Sequence, residues 1–461
     1  MDTARNEAPF RCGYARADIT PGFPVPLSGY GNELKRISTG VLNPLFFTAV
    51  ALTDPAGQTM LLMSYDISQA NQHFTTMLKD YAKETYGLEP EFVHLSGTHT
   101  HATVSTNWWL QGWEDVLQGY LATLFEKAKA VMAEALADRK PARMFYGETE
   151  TEGLNFVRHY IDKTVTPWMS IGDNFNHWDK THPIEHRKKA DPSMRLIRFT
   201  RTNEAGAPAK DVVLVNWQAH NHLSSSSKTT LIAADWVGAF RDAMEARENC
   251  LFAYFQGCAG NLNPKSRIAE ENRTLDYREH GNFLADYATA VYDSLTEAKD
   301  LRIRSLRRTF TFASNRAPAE LVAHAKEIQK IWREADMNPK IAREAGEPFG
   351  ITSIYHANAI VRSQDFEPTR TVFINAYAIG EIGWTTCPNE MFDETGKEIR
   401  AASPFKMTFT QGYTDGVESY LPYAEAYDYG CYEACITKFA KGAAEAMRDE
   451  LIGMLKELHE R

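Results

Sequence analysis

Two histidines that lie two positions apart, His99 and His101, follow a largely apolar stretch at residues 92–95 and a turn of small residues. The apolar, β-branched stretch predicts a strand, and open α/β folds place their chemistry where strands end. Two imidazoles at this spacing are able to divide the work of a metal centre, because one ring binds the ion while the other removes a proton from water beside it. Taken alone, the pair is equally consistent with two loop histidines that have no chemical role.

Further stretches combine an apolar strand with a polar turn in the same way. They lie at residues 215–222 with 232–238 behind them, 255–264, 386–392 and 419–433. Each signal is weak alone, because a histidine that follows an apolar strand is more often a loop residue than a ligand. Together, and in this order along the chain, the five stretches form a specific signal.

This order resembles the neutral/alkaline ceramidase family, the zinc amidases that split ceramide. The resemblance starts at residues 13–20, passes through Ser-Gly-Thr-His-Thr-His at 96–101, and ends at the tyrosine spacing 420, 427 and 432. It therefore covers nearly the whole chain. The fold that it implies is the family's α/β catalytic domain.

The hydrophobic pattern gives its own prediction of the fold. Strands at 46–52 and 60–65 alternate with helices at 70–87 and 114–138, which predicts an α/β fold with a mixed β-sheet core flanked by helices. Two segments interrupt the pattern, a polar loop insertion at about 158–190 and a charged helical excursion at about 318–345, and a last helix is predicted at 436–459. Since the chain contains no repeat and no linker, we expect a single domain over residues 1–461.

The resemblance implies one zinc ion per chain. Its ligands would be His99, His220, Glu390 and Tyr420, with His222 as the alternative to His220. Two imidazoles and a carboxylate leave a position on zinc open for water. The same ligands do not exclude another divalent metal.

The resemblance also implies catalytic roles for His101, Arg158 and Tyr432. His101 matches the general base of the family, and the other two match the groups that stabilise the oxyanion, as an acyl-transfer site requires. Two plainer interpretations stay open: Arg158 as a surface ion-pair residue, and Tyr420 and Tyr432 as core aromatics with a satisfied hydroxyl.

The chain departs from the family at one chemically important position. Where ceramidases carry Gly-Asp-x-Ser-Pro-Asn, residues 260–265 read Gly-Asn-Leu-Asn-Pro-Lys, so Asn263 replaces the serine. A serine nucleophile is thereby excluded, whereas a mechanism that uses metal-activated water remains. We expect Asn263 to contact the substrate, because an amide recognises different groups than a hydroxyl does.

A tryptophan-rich run that contains Trp108, Trp109 and Trp113 follows the histidine pair. We predict that it binds substrate, as the wall of a pocket for an apolar or ring-shaped part. A hydrophobic lid or an oligomer contact is the alternative, and the sequence leaves the oligomeric state open.

Composition excludes several classes of function. A net charge of −10 and the absence of a basic run longer than residues 187–189 argue against a nucleic-acid partner. Residues 1–7 lack the apolar core of a signal peptide and no apolar stretch is long enough to span a bilayer, so we expect a cytoplasmic protein without stable membrane insertion. The six scattered cysteines contain no CxxC pair and favour free thiols.

The sequence as a whole predicts a zinc-dependent hydrolase that cleaves the C–N amide bond of an N-acylated small molecule with metal-activated water. It leaves the acyl and amine parts of that substrate open. One alternative is a metal-dependent hydrolase of an ester, lactone or sugar-derived small molecule. The second alternative is a non-catalytic binding protein, in which the lost serine marks a retired site.

Overall fold

The computed structural model describes residues 8–162, 170–171, 184–265, 267–268 and 273–461. Its centre is a nine-stranded sheet that mixes parallel and antiparallel pairs, which confirms the predicted fold class. In sheet order the strands are Leu251–Gln256, Pro208–Trp217, Ser193–Thr202, Lys140–Glu150, Arg11–Asp18, Phe46–Thr53, Thr59–Tyr65 and Val93–Gly97, and Thr296–Glu297 pairs with Lys140–Glu150.

The central strands are buried on both faces, and alternate residues point to different cores. Along Phe46–Thr53, Ala49 and Ala51 face helices Gln72–Tyr86 and Glu114–Ala137, whereas Val50 and Leu52 face the second sheet. The period of two follows from the pleat of a strand. It explains why these strands read as nearly continuous apolar runs.

The second sheet has four strands and shares a hydrophobic core with the first. Its strands, in order, are Ile303–Ala313, Thr369–Ile379, Ile382–Thr386 and Met407–Gln411. Tyr377, Trp384 and Phe409 pack against the first sheet, and helix Ala443–Glu460 covers the opposite face. The shared core agrees with one domain over residues 1–461, which stays a prediction.

The remaining helices lie around these sheets, and short strand pairs connect the loops at their ends. The helices are Asp235–Glu248, Tyr277–Val291, Ala319–Glu334, Pro339–Gly346, Ile354–Arg362, Asp393–Ala402, Ala424–Tyr429 and Tyr432–Ile436. The short strands are Gly40–Val41, Asn155–Val157, Tyr160–Asp162, Ser170–Ile171, Ile184–His186, Leu231–Ile232, Leu262–Pro264, Arg267–Ile268, Arg273–Thr274, Glu390–Met391 and Tyr420–Leu421.

The two predicted interruptions differ in how far the structure describes them. The excursion at 318–345 forms Ala319–Glu334 and Pro339–Gly346. Within the predicted loop at 158–190, residues 163–169 and 172–183 lie outside the described part of the chain. The last helix begins at Ala443, later than predicted, because Gly442 takes a left-handed φ of 94° that interrupts the helix. None of the described helices has both the length and the apolar character needed to cross a bilayer, and the six cysteines are free, as predicted.

A buried charge cluster joins the C-terminal half of the chain to strand Val93–Gly97. Asp415 accepts hydrogen bonds from Lys79 Nζ at 2.7 Å and from the backbone N–H of Leu95 at 2.9 Å, and its carboxylate lies 3.3 Å from His94 Nδ1. Burial opposes the charge of Asp415, but Lys79 and His94 outweigh it and hold the pKa of Asp415 below its usual value. Asp415 thereby fixes the strand that leads to His99.

Replacing Asp415 with alanine should leave the buried Lys79 ammonium without its partner. We expect the free energy of unfolding to fall by about 3–5 kcal/mol, as is typical when a buried pair is broken, measured by chemical denaturation. Asp428→Ala is the control, because Asp428 is 65% exposed and pairs with Lys441 at the surface, where a pair contributes at most about 1 kcal/mol. Equal losses in the two variants would contradict the role given to Asp415.

Candidate metal centre

The histidine pair lies immediately beyond strand Val93–Gly97, where the sequence predicts it. His99 has a left-handed φ of 62°, a conformation that costs on the order of 1 kcal/mol and persists where surrounding contacts fix it. Its backbone N–H donates to the carbonyl of Ile67 at 3.1 Å. A Cβ on Gly29 would lie 2.5 Å from the Cβ of His101, so only glycine lets that segment pack against the pair.

Three other strand ends bring the remaining predicted ligands to the pair. His220 follows strand Pro208–Trp217, and its backbone N–H donates to the carbonyl of Leu262 at 3.0 Å. Glu390 and Tyr420 are direct partners in a short parallel strand pair. The four predicted ligands therefore come from distant parts of the sequence to one place.

The ligand-type atoms of three of these residues converge in the interior. Glu390 Oε2 lies 3.4 Å from His99 Nε2 and 3.5 Å from His220 Nε2. His99 Nδ1 lies 2.8 Å from the carbonyl of Ser68, and His220 Nδ1 lies 2.8 Å from the carbonyl of Ala259. Because a carbonyl can only accept, both Nδ1 atoms carry the proton and both Nε2 atoms present a lone pair to the centre.

This convergence fits a bound cation. Gln69 Nε2 donates to Glu390 Oε1 at 2.8 Å, whereas Glu390 Oε2 is buried and has no hydrogen-bond partner among the described residues. Burial raises the pKa of Glu390 to about 8 although the nearby Arg158 guanidinium lowers it, so the buried carboxylate needs further positive charge to be fully ionised at neutral pH. Imidazole and carboxylate donors of this kind suit zinc.

His101 belongs to the same cluster but is held differently. Its Nε2 lies 3.2 Å from His99 Nε2, and its ring contacts Tyr30 edge to face. His101 Nδ1 is buried without a partner among the described residues, so no carbonyl fixes its tautomer as one does for the other two rings. One nitrogen from each of His99, His101 and His220 lies within 4.8 Å of the others, which makes His101 an alternative third imidazole ligand.

Arg158 is a buried part of this centre, which rules out the interpretation of a surface arginine. Its side chain is 4% exposed. Arg158 Nε donates to Glu433 Oε1 at 2.7 Å, Nη2 donates to the Tyr420 hydroxyl at 3.3 Å, and Nη1 lies 3.3 Å from His220 Nε2. The guanidinium thus bridges the centre and an acidic residue behind it.

A second group of ligand-type residues, His159, Cys431 and Glu433, lies behind Arg158. Glu433 Oε2 lies 2.9 Å from His159 Nε2, and His159 Nδ1 lies 3.0 Å from the Tyr429 hydroxyl. Both oxygens of Glu433 are therefore occupied, and burial raises the pKa of the Cys431 thiol well above its usual value. We interpret this group as the support of Arg158 and not as a second metal site.

The remaining predicted site residues have different surroundings. Tyr432 is half-buried, and its ring centroid lies 6.0 Å from that of Tyr420. Trp108 is 1% exposed in the core below the central sheet, Trp109 is 64% exposed, and Trp113 packs partly buried against the same core. Contact of these tryptophans with a substrate stays a prediction, and the fully packed ring of Trp108 would have to move to make one.

His222 and Asn263 face each other beside the centre. His222 Nε2 lies 3.2 Å from Asn263 Oδ1, and Arg158 Nη1 donates to the same oxygen at 3.4 Å. The Nε2 atom of His222 is thus directed at Asn263, whereas that of His220 faces Glu390. This difference favours His220 over His222 as the ligand.

Sequence reasoning missed several residues that shape the centre. Ser68 and Gln69 hold His99 and Glu390, and they follow strand Thr59–Tyr65 closely, so the strand-end criterion applied to His99 would have found them. The ring centroid of Tyr413 lies 4.2 Å from that of His99. Glu433 accepts a hydrogen bond from Arg158. No local pattern marks either of these two contacts.

The family comparison identifies the chain. A family model described as "Neutral/alkaline non-lysosomal ceramidase, N-terminal" matches residues 10–290, more than half of the sequence. The chain therefore belongs to the neutral/alkaline ceramidase family, and hence to a family of hydrolases. None of the curated proteins is significantly similar to it in sequence.

Solved structures share the fold. The crystal structure of neutral ceramidase from Pseudomonas aeruginosa matches with a TM-score of 0.72 and 18% identity, over 99% of this chain and 75% of that one. A structure described as ceramidase complexed with C2 matches with a TM-score of 0.70 and 18% identity, over 98% and 76% of the two chains. At this identity the likeness establishes the fold.

We expect the purified protein to hold one divalent ion per chain, measured by elemental analysis after dialysis. His99→Ala should lose the ion because it removes an imidazole whose Nε2 faces Glu390. His101→Ala should retain it, and His73→Ala, which removes an exposed histidine of helix Gln72–Tyr86, is the control. Loss of the ion in both His99→Ala and His101→Ala would contradict separate roles for the two rings.

Proposed function

We propose that the protein is a zinc-dependent hydrolase that cleaves the C–N amide bond of an N-acylated small molecule with an activated water. The observation that carries the proposal is the buried convergence of His99 Nε2, His220 Nε2 and Glu390 Oε2. Membership of the ceramidase family supports the choice of an amide bond. Tyr420, the register partner of Glu390, would be the fourth ligand.

A zinc ion held there would acidify a water molecule and polarise the scissile carbonyl. The choice of zinc over another divalent ion rests on the donor set and belongs to the proposal.

His101 is the proposed general base. Its Nε2 lies beside His99 Nε2, and the absence of a described partner on Nδ1 leaves the proton of the neutral ring able to sit on either nitrogen. With the proton on Nδ1, Nε2 takes a proton from the attacking water and later delivers one to the leaving amine.

Arg158 and Tyr432 are the proposed oxyanion stabilisers. The two N–H groups that Arg158 directs at the Tyr420 hydroxyl and at His220 Nε2 belong to a charged, buried group, which stabilises negative charge more strongly than a solvated one does. The Tyr432 hydroxyl would share this work. With Asn263 in place of the family's serine, the chain has no hydroxyl nucleophile at that position.

The direct test is a panel of amides, esters, lactones and glycosides assayed with the zinc-loaded protein. We expect N-acyl amides to give the highest kcat/KM, and His101→Ala to retain zinc while kcat falls by about 10²–10⁴-fold, the usual contribution of a general base. A preference for esters or lactones would favour the alternative hydrolase. Turnover of none of the four classes by the zinc-loaded protein would contradict the proposal.

Glu433→Gln should impair catalysis through Arg158. Glutamine retains the size of the side chain but removes the charge that holds the guanidinium, so we expect kcat to fall by at least about tenfold with little change in KM, because the oxyanion forms only in the transition state. Glu425→Gln, which alters a half-exposed residue paired with Lys188, is the control. An unchanged kcat in Glu433→Gln would show that Glu433 does not position Arg158.

A further inference from the structure

Asn263 lies beside the candidate metal centre on a short strand. Strand Leu262–Pro264 pairs with Asn155–Val157 in antiparallel register, and Arg158 follows directly in the chain. The side chain of Asn263 is half-buried. It occupies the position at which the ceramidase motif has its serine, so any contact that it makes with a substrate differs from the contact that a serine would make.

The orientation of the Asn263 amide is determined by its neighbours. Arg158 Nη1 lies 3.4 Å from the atom assigned as Oδ1, and a guanidinium can only donate hydrogen bonds, so that atom is the oxygen. His222 Nε2, 3.2 Å from the same oxygen, must then also donate. The two hydrogens of Asn263 Nδ2 therefore point away from both neighbours, and no described residue accepts them.

The neighbours of the Asn263 side chain also contact the residues proposed to react. Arg158 Nη1, which contacts Asn263, also lies 3.3 Å from His220 Nε2. The ring of His222 has its centroid 5.3 Å from that of His101 and 5.4 Å from that of His220. A substrate held at the centre would therefore meet Asn263 within a few bonds of its scissile group.

We propose that Asn263 Nδ2 is a donor-only recognition group that His222 positions. The substrate would be an N-acylated compound that carries an acceptor oxygen, of a carboxylate, carbonyl or hydroxyl group, a few bonds from its scissile amide. A serine hydroxyl both donates and accepts, whereas this face of the amide only donates. The inference rests on the proposed function and narrows its substrate class.

The test compares three amides that share a hexanoyl group and differ in their amine, namely glycine, ethanolamine and propylamine. We expect the zinc-loaded protein to hydrolyse the glycine or the ethanolamine amide with a kcat/KM about three- to tenfold above that of the propyl amide, the scale of one hydrogen bond. Whichever oxygen-bearing amide is faster identifies the acceptor. Equal values for all three amides would overturn the inference.

Two substitutions of Asn263 separate recognition from structure. Asn263→Leu has a similar size but no donor, so it should remove the preference for both oxygen-bearing amides. Asn263→Asp retains an oxygen for Arg158 and His222 but replaces the donor with an acceptor. It should therefore lose the preference for the glycine amide. It should still accept the ethanolamine amide, because a hydroxyl can donate a hydrogen bond. Retention by Asn263→Leu of a preference for either oxygen-bearing amide, or by Asn263→Asp of a preference for glycine, would overturn the inference.

A binding measurement makes the inference independent of turnover. In a His101→Ala background, the dissociation constant of the tighter-binding of the two N-hexanoyl amides, of glycine or of ethanolamine, should rise about three- to tenfold when Asn263→Leu is added. His222→Gln, which keeps an N–H donor, should retain the tighter binding, whereas His222→Leu should lose it. If the protein hydrolyses none of the amides, the proposed function fails, and an equal dissociation constant with and without Asn263→Leu would separately overturn this inference.

Discussion

A carboxylate and two imidazoles meet in the interior of this protein through atoms that all carry lone pairs. Carbonyl groups hold the protons of His99 and His220 on Nδ1, so both Nε2 atoms direct lone pairs toward Glu390 Oε2, which has no hydrogen-bond partner among the described residues. Burial makes this arrangement unfavourable unless a positive charge lies in the middle. The surrounding structure holds these three ligand-type atoms together.

That support is spread across the whole chain. Two strands of the N-terminal half end shortly before His99 and His220, whereas Glu390 and Tyr420 come from a strand pair in the C-terminal half. The two sheets share one hydrophobic core, and the buried charge of Asp415 links the two halves beside strand Val93–Gly97. A centre built between two halves in this way depends on their rigid packing.

The sequence allows the centre to be predicted where chemistry and secondary structure coincide. Polar residues directly after apolar strands, as at His99 and His220, carry both signals. The sequence pattern did not predict strands Lys140–Glu150 and Ile303–Ala313, because charged residues interrupt their apolar alternation. The contacts of Arg158 with Glu433 join residues far apart in sequence, and no local propensity encodes such a pair.

The most direct test of the account is the coordination of zinc, measured by X-ray absorption at the zinc K-edge on the metal-loaded protein. The account predicts scattering from two imidazole rings together with oxygen ligands from Glu390 and Tyr420. His101→Ala should give the same spectrum, because in this account the His101 ring would act as a base beside the ion without binding it. Three imidazoles in the parent protein, falling to two in that variant, would contradict the division of labour between His99 and His101.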